Sequence, residues 1–339
     1  MSRFIIQQQD PFIHKKEILE LWAENLPDTP PGRLEWMMDG NPAGPAKWFF
    51  AFDSKTNQLA GMISVMPKLL ILHGQIIRAG IMGDLVVGQK YRVFGPALSL
   101  VKSVIKSMAD FGFDFIYTIP NSDSRKLMEH AGFEVLGELV HMLKPLDLNY
   151  YFRKYGPGLL SHLPSSCLQL VMKAISRETY VSSGKVYEAD SINEEFDAFC
   201  QDIERYKQRI TAHRNSAHLK WRFLDNPAGG FRVLVHKGKS NNDLSSYLVY
   251  AVEDRRIQLY DIFYKNEMSV LSLINMLSRI GFRDNCIGIY IRLLEQNPLL
   301  PLLRKCRFID TRDKATVFMY SRKTIDVGSW DFFSGDRNI

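Results

Sequence analysis

The chain has 339 residues, of which 46% are hydrophobic and 24% charged, and its formal net charge is +6. Those proportions are ordinary for a folded globular chain and exclude wholesale disorder, a collagen-like repeat and a coiled coil. The length fits about two domains, and the small positive excess allows an anionic ligand without requiring one.

The opening residues, Met1 to Asp10, lack the long apolar core of a signal peptide. No run reaches about 18 uninterrupted apolar residues, the length of a membrane-spanning helix. Four cysteines, Cys167, Cys200, Cys286 and Cys306, are widely spaced, with no pair at metal-ligand or redox spacing. A reducing, cytoplasmic location and no metal site are therefore expected.

Strands are expected at 47–53 and 58–66, which are rich in aromatic and branched residues, and again at 75–87 and 113–119. Between the last two, Ala97, Leu100, Val101, Val104, Ile105 and Met108 recur at intervals of three and four. Ser99, Lys102, Ser103, Lys106 and Asp110 fill the other face. That spacing predicts an amphipathic helix over 96–111, with Pro96 in its first turn and Gly112 as its stop. A shorter helix is expected at 122–130, before Gly132.

Residues 146–185 carry Arg153, Lys154, Lys173, Arg177 and Lys185 against Asp147 and Glu178, so half of the surplus positive charge lies there. Tyr150, Tyr151, Phe152 and Tyr155 accompany it. The segment reads either as a helical linker or as a basic, aromatic element in peripheral contact with an anionic surface.

Beyond the connector the chain repeats itself. Leu34, Trp36 and Asn41-Pro42-Ala43-Gly44 recur as Leu219, Trp221 and Asn226-Pro227-Ala228-Gly229, at a constant offset of 185. Further on, Asp84 aligns with Asp261 and Tyr117 with Tyr290, at smaller offsets that imply loop deletions. We expect an α/β unit at 1–145, the connector at 146–185, a second unit at 186–325 and a tail at 326–339. In the tail, aromatic residues between acids either dock into a groove or hang loose.

The strand ending at Val87 runs through Gly88 to Ala97 into the amphipathic helix. The first amides of a helix have no internal partners, and its dipole favours negative charge there. Gly95 lets backbone approach an anion, Ala97 leaves room for it, and Arg92 adds charge. Neither Gly-x-x-x-x-Gly-Lys-Ser/Thr nor Gly-x-Gly-x-x-Gly is present. What is present is Arg92-x-x-Gly95-x-Ala97, followed by Asn121, Ser124 and Gly132-Phe133.

These two motifs, in this order, resemble the Gcn5-related N-acetyltransferase superfamily. The likeness covers 84–133; earlier residues match only in strand order. It implies an α/β fold, a central mixed sheet flanked by helices, occurring twice in tandem. It implies that Val86, Val87, Arg92, Val93, Phe94, Gly95, Pro96 and Ala97, with Asn121 and Ser124, hold acetyl-CoA or another acyl-CoA. Asp84 and Tyr117 are the catalytic candidates, Asp84 because the family often places a carboxylate base on this strand. Both are echoed in the second unit, so a structural reading stands beside the chemical one. Two departures matter: the tyrosine that often serves as general acid is Met128, with His130 nearby, and Val93, Phe94 and Pro96 replace the usual loop residues. Glu35 and Asp39, unique to the first unit, read either as pocket residues or as solvated helix positions.

The second unit lacks the loop motif: Tyr264-Lys265-Asn266-Glu267 stands in its place. It is expected to keep the fold and to have lost tight CoA binding. The expected function is N-acyl transfer, with acetyl-CoA as donor and a small-molecule amine as acceptor, by direct attack on the thioester. Paired units of this kind are similar to bacterial tandem acetyltransferases of surface-polysaccharide pathways, which implies an amino-sugar acceptor and no nucleic acid. The alternatives are a non-catalytic CoA-binding or scaffold protein, and an aminoacyl-tRNA-dependent transferase of the peptidoglycan bridge type.

Overall fold

The computed structural model describes residues 3–155, 178, 183–205, 209–239, 242–323 and 330–337. In chain order the first half has β1 (Phe4–Gln8), α1 (Lys15–Asn25), α2 (Arg33–Met38), β2 (Lys47–Asp53), β3 (Leu59–Leu72), β4 (Gln75–Val87), α3 (Pro96–Ser107), β5 (Phe115–Thr118), α4 (Ser122–His130), β6 (Glu134–Pro145) and α5 (Leu148–Tyr155). The second half has β7 (Lys185–Glu188), α6 (Glu194–Glu204), β8 (Thr211–Ala212), α7 (Ser216–Leu219) running into a wide turn at Lys220–Leu224, β9 (Arg232–Lys237), β10 (Leu244–Glu253), β11 (Arg256–Tyr264), α8 (Glu267–Arg283), β12 (Gly288–Leu294), α9 (Leu300–Lys305) and β13 (Ile309–Ser321). Most of the basic connector, including Lys173 and Arg177, lies outside the described residues, and so does the surface contact expected of it.

Alternation decides which way each strand faces. In β2, Trp48, Phe50 and Phe52 enter one core with Ile18, Trp22 and Trp36, while Phe49 and Ala51 enter the core on the opposite face with Leu100, Val101 and Val104 of α3. A strand apolar on both faces must be covered on both, so helices flank the sheet on either side. The three-and-four spacing expected of 96–111 is what buries α3, although the helix proper ends at Ser107.

Among the described residues the strands form one sheet in the order β1-β2-β3-β4-β5-β13-β6-β12-β11-β10-β9-β7, with β8 added beside β3. Only β4–β5 and β11–β12 pair in parallel. The centre of this order is shared between the two halves. β13 inserts between β5 and β6, and β6 pairs with β12. Each half is therefore completed by the last strand of the other, and cuts at 145 and 325 do not free two closed sheets. The tail is also docked: Trp330 and Phe332 are buried in the first half's core beside Phe115 and Tyr117.

The repeated Trp gains its explanation here. Trp36 and Trp221 stack face to face, centroids 4.7 Å apart and planes 7° apart. The Trp36 indole donates to the Trp221 carbonyl at 2.8 Å, and the Trp221 indole donates to the Trp36 carbonyl at 3.0 Å. The two bonds are reciprocal, each indole donating to the other residue's carbonyl. The repeated Asn-Pro-Ala-Gly is turn chemistry: Asn41 Oδ1 accepts from the Ala43 amide at 2.9 Å, and Asn226 Oδ1 from the Ala228 amide at 3.0 Å.

This reciprocity makes a prediction. Trp36→Phe keeps the stack and leaves a buried carbonyl on Trp221 without its donor, so it should cost about 1–3 kcal/mol. Trp221→Phe should cost a similar amount. Because the two share one contact, the double variant should depart from additivity. Urea denaturation of the three variants measures this, and strictly additive losses would mean that the pair does not act as a unit.

Candidate functional site

A crevice opens where β4 and β5 part. The two strands pair only from Ala79–Ile81 to Phe115–Tyr117. Beyond Thr118, β5 ends and the chain reaches Pro120, which has no amide to continue a ladder. On β4 the pairing with β3 shifts register between Met62 and Ser64, and Asp84 takes the left-handed conformation at φ 49°. A bulge of this kind bends the strand and turns it from its neighbour. A non-glycine residue at positive φ costs on the order of 1 kcal/mol, so the surrounding packing must hold it.

The crevice encloses about 550 Å³. Gly83, Asp84 and Leu85 line one wall, Ile119, Asn121, Ser124 and Met128 the other, and the loop from Asn25 to Pro30 covers it. Val86 and Val87, facing Met62 and Gly61 on β3, continue the wall on β4. Outward amides of this stretch lack a strand neighbour among the described residues.

Past Val87 a 3-10 turn, Gln89–Phe94, leads to Gly95 at φ 74° and into α3. The backbone of Val93 and Phe94 lies in this turn; their side chains are outside the described part. No side chain caps α3, and a Cβ built on Gly95 meets nothing within 4 Å. Pro96 takes the first helical position, where a missing amide costs no bond. The amides of Ala97 and the next residues are left for an outside partner. Arg92 departs from expectation: it is exposed and donates to Asn25 Oδ1 at 2.7 Å, which turns it toward α1. Asn121 and Ser124 are both in the crevice, and there the Asn121 carbonyl oxygen caps α4 by accepting from the Ser124 amide at 2.9 Å.

Asp84 is in the wall with both carboxylate oxygens engaged. Ser64 Oγ donates to Oδ2 at 2.6 Å, and Arg33 reaches Oδ1 at 3.3 Å. Asp84 and exposed Asp28 are the carboxylates lining the crevice. Tyr117 also lines the crevice. It is fully buried, its hydroxyl donates to the Asp336 carbonyl at 2.6 Å, and burial pushes its pKa well up. A phenol held this way packs the tail against the crevice wall. Met128 is buried at the inner end, while His130 is exposed and bonded to the Lys126 carbonyl. Glu35 and Asp39 do not line the crevice, and Glu35 pairs with Lys15.

The second half treats the same positions differently. Asn266 Oδ1 caps α8 by accepting from the Ser269 amide at 3.0 Å. The place beside β12 is taken by the tail: Phe333 bridges to Leu293, and Leu294 donates to the Phe332 carbonyl. Gly335 passes so close that a Cβ there would come within 2.9 Å of the Phe223 ring. Asp261, the counterpart of Asp84, is sealed under Arg214 at 2.9 Å and Tyr247 at 3.0 Å.

Sequence reasoning missed the group that ties the tail down. Lys68 and Arg214 both reach the Asp336 carboxylate, and all three are buried. Burial works to raise the Asp336 carboxyl, but Lys68 and Arg214 outweigh it and hold it below its ordinary 3.8. Burial pushes the Lys68 ammonium down to about 8 against the pull of Asp336. Arg222 donates to the carbonyls of Gly335 and Arg337. Arg337, next along, lines the crevice of the first half. Among the described residues no cluster of metal-ligating side chains occurs, and no helix is long and apolar enough to cross a membrane.

The fold is that of the GCN5-related N-acetyltransferases. A probable N-acyltransferase from Enterococcus faecalis superposes with a TM-score of 0.67 at 12% identity, covering 94% of this chain and 72% of that one. A GCN5-related N-acetyltransferase from Anabaena variabilis gives 0.66 at 13% identity, with the same coverage. N-myristoyltransferase of Saccharomyces cerevisiae with bound myristoyl-CoA gives 0.60 at 11% identity, covering 94% and 83%. No family model and no curated protein matches the sequence.

The buried carboxylate fixes a pH dependence. Asp336→Asn leaves Lys68 and Arg214 without their shared charge and should cost about 3–5 kcal/mol at neutral pH. Because the folded carboxyl titrates below 3.8, its stabilisation is complete above that value and is lost as pH falls through the folded value. The gap between wild type and variant in urea melts should therefore narrow below pH about 4. A gap constant down to pH about 2 would show that the charge of Asp336 is not what anchors the tail.

Proposed function

We propose that the chain is an acyl-CoA-dependent N-acyltransferase working from its first half. The observation that carries this is the pairing of the β4–β5 crevice with the uncapped start of α3 at Gly95, against a second half where Asn266 and the tail fill both places. The amides of Ala97 and its successors would receive the pyrophosphate, with the rest of the donor running past Ser124 and Asn121 into the crevice. The solved neighbours, N-acetyltransferases and an N-myristoyltransferase with its acyl-CoA, support the donor class. We take the acyl group to be acetyl and the acceptor to be a primary amine, with amino sugars as the class that the tandem resemblance favours.

The bound donor would supply an activated thioester carbon for attack by the acceptor nitrogen. A β4 amide beside Val86 and Val87 would steady the charge growing on the carbonyl oxygen. Asp84 would take the proton the amine loses, directly or through a water. The carbon–sulfur bond breaks and the thiolate takes its proton from water, since Met128 has none to give. Much of the rate would come from holding the two substrates in line. Met128 also favours a second reading, a CoA-binding protein without turnover, and thiol release with an amine panel separates the two.

At a hundredfold excess over its Kd, acetyl-CoA should stabilise the protein by about 2.7 kcal/mol. Gly95→Asp, which sets a carboxylate against the phosphates, should abolish the thermal shift. A wild-type protein unmoved by acetyl-CoA and by myristoyl-CoA alike would sink the reading.

Asp84→Asn keeps a residue that tolerates positive φ and removes the base. Turnover should fall by about 10²–10⁴ with the acetyl-CoA shift preserved. Undiminished turnover across the pH range would take Asp84 out of the chemistry.

A further inference from the structure

Arg337 enters the crevice from the tail, and its backbone is fixed from two sides. Its amide donates to the Ser334 carbonyl at 3.1 Å, and its own carbonyl accepts from the Arg222 guanidinium. The guanidinium is held largely out of water, and burial together with the neighbouring Arg292 lowers its pKa. No carboxylate, carbonyl or hydroxyl among the described residues bonds to it. The charges around it are engaged elsewhere. Asp313 binds His141 at 3.2 Å and Arg292 at 3.5 Å, and Asp84 is taken by Arg33 and Ser64. Asp28, at the rim, is exposed.

A desolvated cation without a bonded counterion is costly. Guanidinium offers a planar fork that matches carboxylate or phosphate. Position assigns the anion to one of the two substrates. The groups acting on Arg337 are Arg292, Tyr260 and Asp313, on β12, β11 and β13. These strands lie across β5 from β4 and α3, where the donor's phosphates would bind.

We propose that Arg337 receives an anionic group, a carboxylate or a phosphate, carried by the acceptor amine. The acceptor is then an amino acid-like or phosphorylated amine, not a neutral one. This rests on reading the crevice as the place of acyl transfer.

The test is a set of thermal-shift titrations of the full chain saturated with CoA, using glycine against glycinamide, glucosamine 6-phosphate against glucosamine, and inorganic phosphate alone. At least one anionic probe should bind about tenfold or more tightly than its neutral counterpart. Arg337→Gln should erase that preference and leave the CoA shift unchanged, and Arg337→Lys should retain part of it. The glycine arm reports a carboxylate and the sugar arm a phosphate. The inference is overturned if no anionic probe outbinds its counterpart, if the preference survives Arg337→Gln, or if that variant loses CoA binding instead. A wild type that does not respond to CoA at all refutes the underlying reading separately.

Discussion

The Trp36–Trp221 stack is the contact on which the rest of the arrangement turns. Two indoles that each donate to the other's backbone carbonyl can do so only if α2 and the turn at Lys220–Leu224 meet in one orientation. That ties the two halves together at this contact. It also brings β6 and β13 side by side, so that each half closes its sheet with the other's last strand. Neither half buries its sheet edge alone, since an unpaired edge would expose a row of backbone donors and acceptors. The joint is therefore part of the fold of each half and not a contact between finished domains.

The two halves nevertheless treat corresponding positions differently. Gly95 leaves the start of α3 without a side-chain partner, and Asn266 supplies one to α8. One residue type at one position thus decides whether helix amides face outward or are satisfied internally. The tail does the rest on a larger scale. Its aromatic residues take the place beside β12, and Asp336 is locked between Lys68 from the first half and Arg214 from the second.

The sequence made the periodic and local features legible. The spacing of Leu100, Val101 and Val104, the β-rich runs, the repeated Asn turns and the Gly95 junction all speak through neighbours in the chain. The strand exchange did not show, because β13 pairs with β5 across at least 200 residues of chain and no periodicity encodes a partner. The packing role of Tyr117 was hidden for the same reason. A tyrosine on the strand beside the crevice looks chemical until the Asp336 carbonyl, 219 residues later, takes its hydroxyl. Arg92 likewise reads as an anion ligand until Asn25 claims it. Lys68, Arg222 and Arg337 gave no local signal at all, since their meaning depends on a tail that crosses both halves.

That crossing has a consequence for how the crevice is built. The tail runs from the β12 side of the second half to the wall of the first. The segment that closes one crevice therefore ends by lining the other. Lys68 and Arg214 hold it through Asp336, and Arg222 fixes the carbonyls on either side. A tail held by so many buried partners has little freedom to move, so Arg337 meets the crevice from a fixed backbone. Preorganised charge of that sort costs stability in the empty protein and returns it when a matching anion arrives. The second half, although its own crevice is filled, thus contributes to the first through the one strap that both halves hold.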